Sequence, residues 1–110
     1  MMAVSSANEI FQRQIPNRLQ AKPGLVEKIH SVFRFVVTGD SAGTWLVDLT
    51  KPGGSVEQKD GPADCTITVA GKDLVDIVNG KLDPQMAFMG GKIRIAGDMG
   101  LALKLGLLIG

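Results

Sequence analysis

The chain opens with apolar residues at i, i+4 and i+8, the spacing of one helix face: Phe11, Ile15 and Leu19. Ser6 stands before them as a helix cap, so the spacing predicts a helix over 6–20. Pro16 lies inside this helix and is expected to kink it or to split it into two shorter pieces. Pro23 suits the first turn of a second short helix that ends near His30.

The next part of the chain alternates between apolar and polar side chains, which is typical of strands with one buried face. The apolar positions are Phe33, Phe35 and Val37, then Trp45, Val47 and Leu49, then Cys65, Ile67 and Val69, and finally Ile93 and Ile95. This pattern predicts strands over 32–38, 44–50, 63–69 and 92–97, with a short strand over 54–58 between two turns. Gly39 to Gly43 is expected to close a hairpin between the first two strands.

Helical spacing returns before the last of these strands. Leu74, Ile77 and Val78 share one face, and Asn79-Gly80 is a suitable stop. Asp83 and Pro84 then begin another helix as cap and first residue, and Gly90-Gly91 ends it. The order of elements predicts a single two-layer α+β domain over 1–110, with helices on one face of a mainly antiparallel sheet.

Residues 99–109 are unusual because eight of the eleven are apolar and Lys104 alone is charged. We expect one helix that is apolar on every side, which has to be buried on more than one side. Three interpretations stay open at this point. The helix is ordinary core, or it is a surface for a partner or a second copy, or it is the wall of an apolar cavity.

Composition narrows the function. The net charge is +1 and no run of like charge occurs, so we do not expect a nucleic-acid partner. The single cysteine excludes an internal disulfide. The first residues lack the blocks of a signal peptide, and no stretch approaches the roughly 18 apolar residues of a membrane span. A soluble cytoplasmic protein is the expectation.

The chain has few residues of the types that catalysis requires. His30 is the only histidine and lies at a predicted helix end, and Cys65 lies on the inward face of a strand, where a cysteine is usually an inert apolar side chain. Metal binding needs more His, Cys or clustered carboxylates than the chain has, and no glycine-rich phosphate loop follows a strand. We therefore expect no enzyme, no metal and no cofactor.

Four segments of the chain together resemble the sterol carrier protein type 2 family. They are GTWLVDL at 43–49, ADCTIT at 63–68, NGKLDPQMAF at 79–88 and GKIRIAGDMGLALKL at 91–105. The resemblance covers about residues 8 to 107, in order and without a large gap.

This resemblance implies a five-stranded sheet, covered on one face by about five helices, that encloses an apolar tunnel. It implies a carrier that binds sterols, fatty acids, fatty acyl-CoA or phospholipids without chemistry. By matching motif position, the apolar residues implied to line or support the tunnel are Phe33, Phe35, Trp45, Leu74, Ile77, Met86, Phe88, Met89, Met99, Leu103 and Leu107. Gln85 is expected to contact a head group or, alternatively, to serve the helix start.

The chain departs from this family at its end. Leu108-Ile109-Gly110 is not a peroxisomal signal, so we expect a location outside peroxisomes. The tail is also shorter than in animal relatives, so we expect a more open pocket. The expected partner is a long apolar small molecule bound by a monomer or weak homodimer. Lys92, Arg94 and Lys104 either contact a membrane surface transiently or form a solvated face. The alternative function is an interaction or dimerisation module that uses the C-terminal helix, as an accessory to a lipid or quinone pathway enzyme.

Overall fold

A computed structural model describes residues 4–39 and 42–109. The predicted N-terminal helix is present as three consecutive pieces, α1 (Ala7–Glu9), a π-helical turn (Ile10–Gln14) and α2 (Ile15–Ala21). Ser6 caps it as predicted, because its Oγ accepts the Glu9 N–H at 3.4 Å.

The break expected at Pro16 takes the form of this π turn. Proline has no N–H to donate to the carbonyl four residues back. Immediately before it, the Ile15 N–H reaches the carbonyl of Ile10, five residues back. Such turns relieve a helix locally without ending it, so the chain stays helical from 7 to 21.

The short helix predicted after Pro23 is α3 (Gly24–Ile29). It ends where His30 adopts a left-handed conformation with a φ of 45°. His30 is exposed there, so it contributes to the helix end and not to the core.

Five strands form one sheet: β1 (Val32–Thr38), β2 (Gly43–Asp48), β3 (Ser55–Glu57), β4 (Cys65–Ala70) and β5 (Ile93–Gly97). Their order is β3-β2-β1-β4-β5. The pair β1–β4 is parallel, and the three other neighbouring pairs are antiparallel. The mainly antiparallel sheet is confirmed, and each predicted strand lies within two residues of its expected ends. Residues 40 and 41 of the predicted hairpin turn lie outside the described residues.

The inner face of the sheet carries the core. Phe33, Phe35, Val47, Cys65 and Ile67 are each at most 1% exposed, as the alternation predicted. Phe11 joins the N-terminal helix to this face. Its ring stacks on Trp45 with centroids 4.9 Å apart and meets Phe35 edge-on at 5.2 Å. Such aromatic contacts stabilise a core beyond the area they bury.

Two further helices match the sequence closely. The first, α4 (Gly71–Val78), buries Leu74 and Ile77 and ends at Asn79. The second, α5 (Pro84–Met89), begins at Asp83, whose carboxylate accepts the N–H groups of Gln85 and Met86 at 2.8 and 3.4 Å.

The single C-terminal helix predicted over 99–109 is wrong. The chain forms two short helices, α6 (Met99–Ala102) and α7 (Leu105–Ile109), separated by a turn. Leu101, Leu108 and Ile109 are buried, whereas Leu103, in the turn, is 88% exposed. The buried residues of both pieces, Leu101, Leu108 and Ile109, keep the i, i+7, i+8 spacing of one helix face, so the turn changes the backbone and not the side that is buried.

Candidate functional site

The predicted site residues fall into two groups. Those on the sheet and on α4 are buried in the common core, at 4% exposure or less: Phe33, Phe35, Trp45, Leu74 and Ile77. They pack against the N-terminal helix and against one another. An enclosed tunnel beside them stays a prediction.

The residues of the second group lie at the surface. Among the described residues, every large apolar side chain that is strongly exposed belongs to the segment 86–107: Met86 (69%), Phe88 (42%), Met89 (78%), Met99 (50%), Leu103 (88%) and Leu107 (37%). Gln85 is exposed as well. Exposed apolar residues indicate a binding role where they form one contiguous patch, whereas single ones are ordinary.

A cleft with a volume of about 680 Å³ is lined by the N-terminal helix, by Leu25 of α3 and by Gly106 and Leu107 of α7. Its apolar lining comes from Val4, Ala21, Leu25 and Leu107, and Gly106 leaves one wall without a side chain. Polar residues of the N-terminal helix form the remainder: Glu9, Arg13, Gln14, Asn17, Arg18 and Lys22. Small-molecule sites commonly have volumes of about 300–1,000 Å³ and mix apolar walls with a few polar groups.

The cleft is electropositive. Three basic side chains face one acidic side chain, so its formal charge is 3 − 1 = +2. The acidic group is already engaged, because the Glu9 carboxylate accepts hydrogen bonds from the Ser5 N–H at 3.2 Å and the Ser5 hydroxyl at 2.9 Å. These bonds, with a smaller effect of Arg13, lower the pKa of Glu9. The arrangement therefore favours an anionic group in the cleft.

Two long-range contacts hold the cleft in shape. Arg18 Nη1 donates to the Leu107 carbonyl at 3.2 Å and connects the N-terminal helix to α7. At the other end, the Val4 N–H donates to Asn79 Oδ1, and Asn79 Nδ2 donates to the Val4 carbonyl, both at 2.9 Å. This pair fixes the segment before α1 against the end of α4.

Sequence reasoning did not select Arg13, Arg18 or Lys22. A weak signal was present, since residues 9–22 carry three basic residues and one acidic residue. Helical spacing does not set them apart, because Arg18 and Lys22 lie three residues after Ile15 and Leu19. A charged helix face is usually only solvated. These residues form a cleft only because Leu107 lies opposite them, and Leu107 is 89 positions from Arg18 in the sequence.

Two buried groups complete the polar chemistry. The Trp45 indole N–H is buried without a hydrogen-bond acceptor among the described residues. Burial raises the pKa of the Cys65 thiol, and the carboxylates of Asp98 and Asp64 raise it further. The thiol is therefore a poor nucleophile near neutral pH. Within 4–39 and 42–109, no cluster of three or more potential metal ligands occurs, and no helix is long and apolar enough to cross a bilayer.

Comparison with known proteins defines the class. The model of the SCP-2 sterol transfer family matches residues 8–109. Sterol carrier protein 2 of Rattus norvegicus is 45% identical over 104 residues, covering 90% of this chain and 19% of the relative. Hydroxysteroid dehydrogenase-like protein 2 of Danio rerio is 42% identical over 85 residues, covering 76% of this chain and 20% of the relative.

A solved structure agrees with these relatives. The palmitated sterol carrier protein 2-like 2 of Aedes aegypti is 31% identical, with a TM-score of 0.72 over 98% of this chain and 95% of that chain. The chain therefore belongs to the SCP-2 sterol transfer family, a class of lipid-binding domains. The predicted family and the α+β fold class are confirmed. The chain spans about a fifth of the length of the two relatives compared by sequence, 19% and 20%.

Proposed function

We propose that this domain is a non-catalytic lipid carrier whose ligand places an anionic end group in the basic cleft. The observation that carries the proposal is the cleft itself, in which Arg13, Arg18 and Lys22 stand opposite the apolar Leu107. A single-chain amphiphile, such as a fatty acid or fatty acyl-CoA, has the matching charge and the matching apolar body. Sterols and phospholipids are the further ligands we propose, on the strength of the family.

The relatives support the lipid class. The Aedes aegypti protein is described as palmitated, and it is 31% identical to this chain. This relative therefore supports a fatty acyl chain as the ligand. We propose that the present chain likewise holds an acyl chain and performs no chemistry on it. The cellular location stays a prediction.

We propose that the apolar chain runs from the cleft beneath α6 and α7. The half-exposed residues next to this path, Phe88, Met99 and Leu107, are its first proposed contacts. The buried residues predicted from the sequence are the proposed inner wall: Phe33, Phe35, Trp45, Leu74 and Ile77. The outward-pointing residues are proposed only for the stage at which a ligand enters or leaves: Gln85, Met86, Met89 and Leu103.

Opening this path has a cost that the ligand must offset. Helices as short as α6 and α7, of four and five residues, are not stable alone. They are held mainly by Leu101, Leu108 and Ile109, and exposing one such side chain costs about 1.5–3 kcal/mol. Displacing α7, which carries two of them, therefore costs on the order of 3–6 kcal/mol.

A long acyl chain can supply that energy. Burying about twelve methylenes contributes roughly 10 kcal/mol at about 0.8 kcal/mol each. The displacement of α7 reduces this gain to about 4–7 kcal/mol, and lost freedom reduces it further, so the expected affinity is weaker than micromolar, which corresponds to about 8 kcal/mol. Burial is non-directional, so chain length should affect affinity more than the chemistry of the chain.

The test is a titration of the protein with palmitate and with hexadecanol, its uncharged analogue of equal length. Trp45, the only tryptophan, reports binding by fluorescence. We expect the double variant Arg13→Gln/Lys22→Gln to weaken palmitate binding about fivefold, because each of these exposed charges contributes below about 1 kcal/mol. Hexadecanol binding should not change.

Lys28→Gln provides the matched control, since Lys28 is exposed on α3 and does not line the cleft. It should leave both affinities at the wild-type value. An equal loss of palmitate and hexadecanol in the double variant would refute the head-group assignment. Absence of palmitate binding to wild-type protein, together with no lipid mass in native mass spectrometry, would refute lipid carriage.

The exposed apolar segment favours one alternative. We propose an interaction or dimerisation module as the second candidate, because Met99, Leu103 and Leu107 are accessible to another protein. In that case the wild type would be a dimer in sedimentation experiments and Leu103→Asp a monomer, while palmitate and hexadecanol would not bind. Under this alternative the domain would act as an accessory protein that binds a lipid or quinone pathway enzyme.

A further inference from the structure

The Trp45 indole carries a polar atom that the packing of the core does not use. Its ring stacks on Phe11, and the residue is only 4% exposed. The indole N–H is buried with it and has no hydrogen-bond acceptor among the described residues. A phenyl ring would stack on Phe11 without this donor. Because a buried donor without an acceptor is costly and uncommon, we looked for a group that could accept from it.

The indole N–H lies near one edge of the inner face of the sheet. Gly43 and Trp45 are two residues apart on β2, so they face the same side. Leu46 pairs with Glu57 of β3, which places Gln58, the next residue, beside Trp45. Gly43 is half-buried and Gln58 is exposed. The buried N–H is therefore close to side chains that solvent reaches.

One point brings Gly43, Trp45 and Gln58 together. It is the position that a Cβ would occupy at Gly43, and it lies 2.9 Å from Gln58 Nε2 and 3.8 Å from Trp45 Nε1. Gln58 Cδ follows at 4.0 Å, and none of these atoms is charged. Since Gly43 has no side chain and Gln58 is exposed, a rotation of the Gln58 side chain can open this point without moving the backbone. We call these three residues the indole–amide site.

We propose that the indole–amide site binds the hydroxyl group of a sterol. A hydroxyl oxygen has two lone pairs, so it can accept hydrogen bonds from both Trp45 Nε1–H and Gln58 Nε2–H. It is neutral, as the site is, and it satisfies the buried donor. A sterol carries this group at one end of an apolar body, which suits a site at the edge of the core. An ester carbonyl lies between two long parts of a lipid and would have to pass further inside.

The proposal rests on lipid carriage and adds a means of separating two classes of ligand. The carboxylate of a fatty acid is expected in the basic cleft, where Arg13 and Lys22 provide positive charge. The nearest atoms of the indole–amide site offer a carboxylate hydrogen bonds but no cation. A sterol hydroxyl needs no cation, so the two end groups are expected at different places on the same domain.

The test offers the full chain an equimolar mixture of cholestanol and cholestane, delivered from cyclodextrin. The two molecules differ only in the hydroxyl group, and native mass spectrometry measures the ratio of their complexes. We expect Trp45→Phe to lower the ratio of cholestanol to cholestane complex about fivefold relative to wild type, which is the effect of losing one hydrogen bond from a buried group. Because the ratio is taken within one sample, a general loss of affinity does not imitate this result.

A second variant tests the amide, and it does not alter the core. Gln58→Leu should lower the same ratio about threefold, since the hydrogen bond it removes comes from an exposed side chain. The matched control is Gln20→Leu, because Gln20 is exposed on α2 and is not part of the indole–amide site. The control should keep the wild-type ratio. Circular dichroism should be the same for all three variants.

The proposal is overturned if the ratio is unaltered in both Trp45→Phe and Gln58→Leu, or if the wild-type protein takes up neither sterol. It is also overturned if Gln58→Leu is less stable to urea than Gln20→Leu while the ratio is unaltered, because the amide and the indole would then serve only each other. Palmitate binding by the wild-type protein is measured separately. If palmitate binds and the sterol ratio does not respond, the indole–amide site fails and lipid carriage stands.

Discussion

Gly97 is the position at which a single methyl group should most clearly damage the C-terminal part of the domain. It ends β5 opposite Cys65 and has a φ of 102°, a conformation that favours glycine. A Cβ placed there would overlap the Asp64 carbonyl oxygen and lie 3.2 Å from the Cys65 Cα. The same carbonyl accepts the Asp98 N–H at 2.9 Å, directly before α6 begins.

The cost of Gly97→Ala can be assembled from these contacts. The positive φ costs alanine about 1–2 kcal/mol, and restriction of the unfolded chain returns about 0.4–1 kcal/mol. The overlap is with backbone, which cannot rotate away, and forcing such a shift costs about 1–3 kcal/mol. Weakening the hydrogen bond to Asp98 adds about 1 kcal/mol. We expect the free energy of unfolding to fall by about 2–6 kcal/mol, with a central value near 4 kcal/mol.

Gly91→Ala is the matched control, because Gly91 has a φ of 81° and nothing within 4 Å of its Cβ position. It carries the conformational cost without the overlap, so we expect a loss of about 1 kcal/mol. Urea unfolding measures both variants, and Gly97→Ala should lower the midpoint by roughly 1–3 M. If Gly97→Ala is no less stable than Gly91→Ala, the reasoning about the Asp64 carbonyl is wrong.

Two further variants test the buried polar groups. Trp45→Phe keeps an aromatic ring against Phe11 and removes an N–H that has no acceptor in the described structure. Urea unfolding should therefore show a loss below about 1 kcal/mol, against about 3–5 kcal/mol for Trp45→Ala; equal losses would contradict this. Because burial raises the pKa of Cys65 in the folded state, the unfolded chain loses this proton first as the pH rises. Stability relative to Cys65→Val should thus be constant below about pH 8 and decline above the ordinary thiol pKa of about 8.5; parallel urea midpoints from pH 7 to about pH 10 would contradict it.

The sequence predicted the apolar residues of the candidate site but neither their exposure nor the basic cleft. Matching motif position selected apolar residues, and the structure separates them by exposure: Phe33 is fully buried, whereas Met86 is 69% exposed. Apolar character alone does not tell these apart, since burial depends on what packs opposite. The basic cleft was missed for the same reason, because Arg18 meets Leu107 across 89 positions of sequence.

The last helix shows how local pattern and packing differ. The run of apolar residues over 99–109 is compatible with helix at every position, and one continuous helix was the natural prediction. Burial does not require the interruption before Leu105, because Leu101, Leu108 and Ile109 would share one face of a continuous helix. Gly100 and Gly106 are the residues that lower the helix propensity on either side of the break.

The sequence by itself determined the local features of this protein. Alternation set which residues of each strand face the core, and capping residues such as Ser6 and Asp83 set where helices begin. These depend on neighbours a few positions away. Tertiary structure alone decided the strand order, with β1 parallel to β4, and the cleft between the N-terminal helix and α7. Alternation with a period of two predicts which face of the sheet a side chain lies on, but it does not predict which strands are neighbours. The order of the strands therefore depends on the packing of the whole chain.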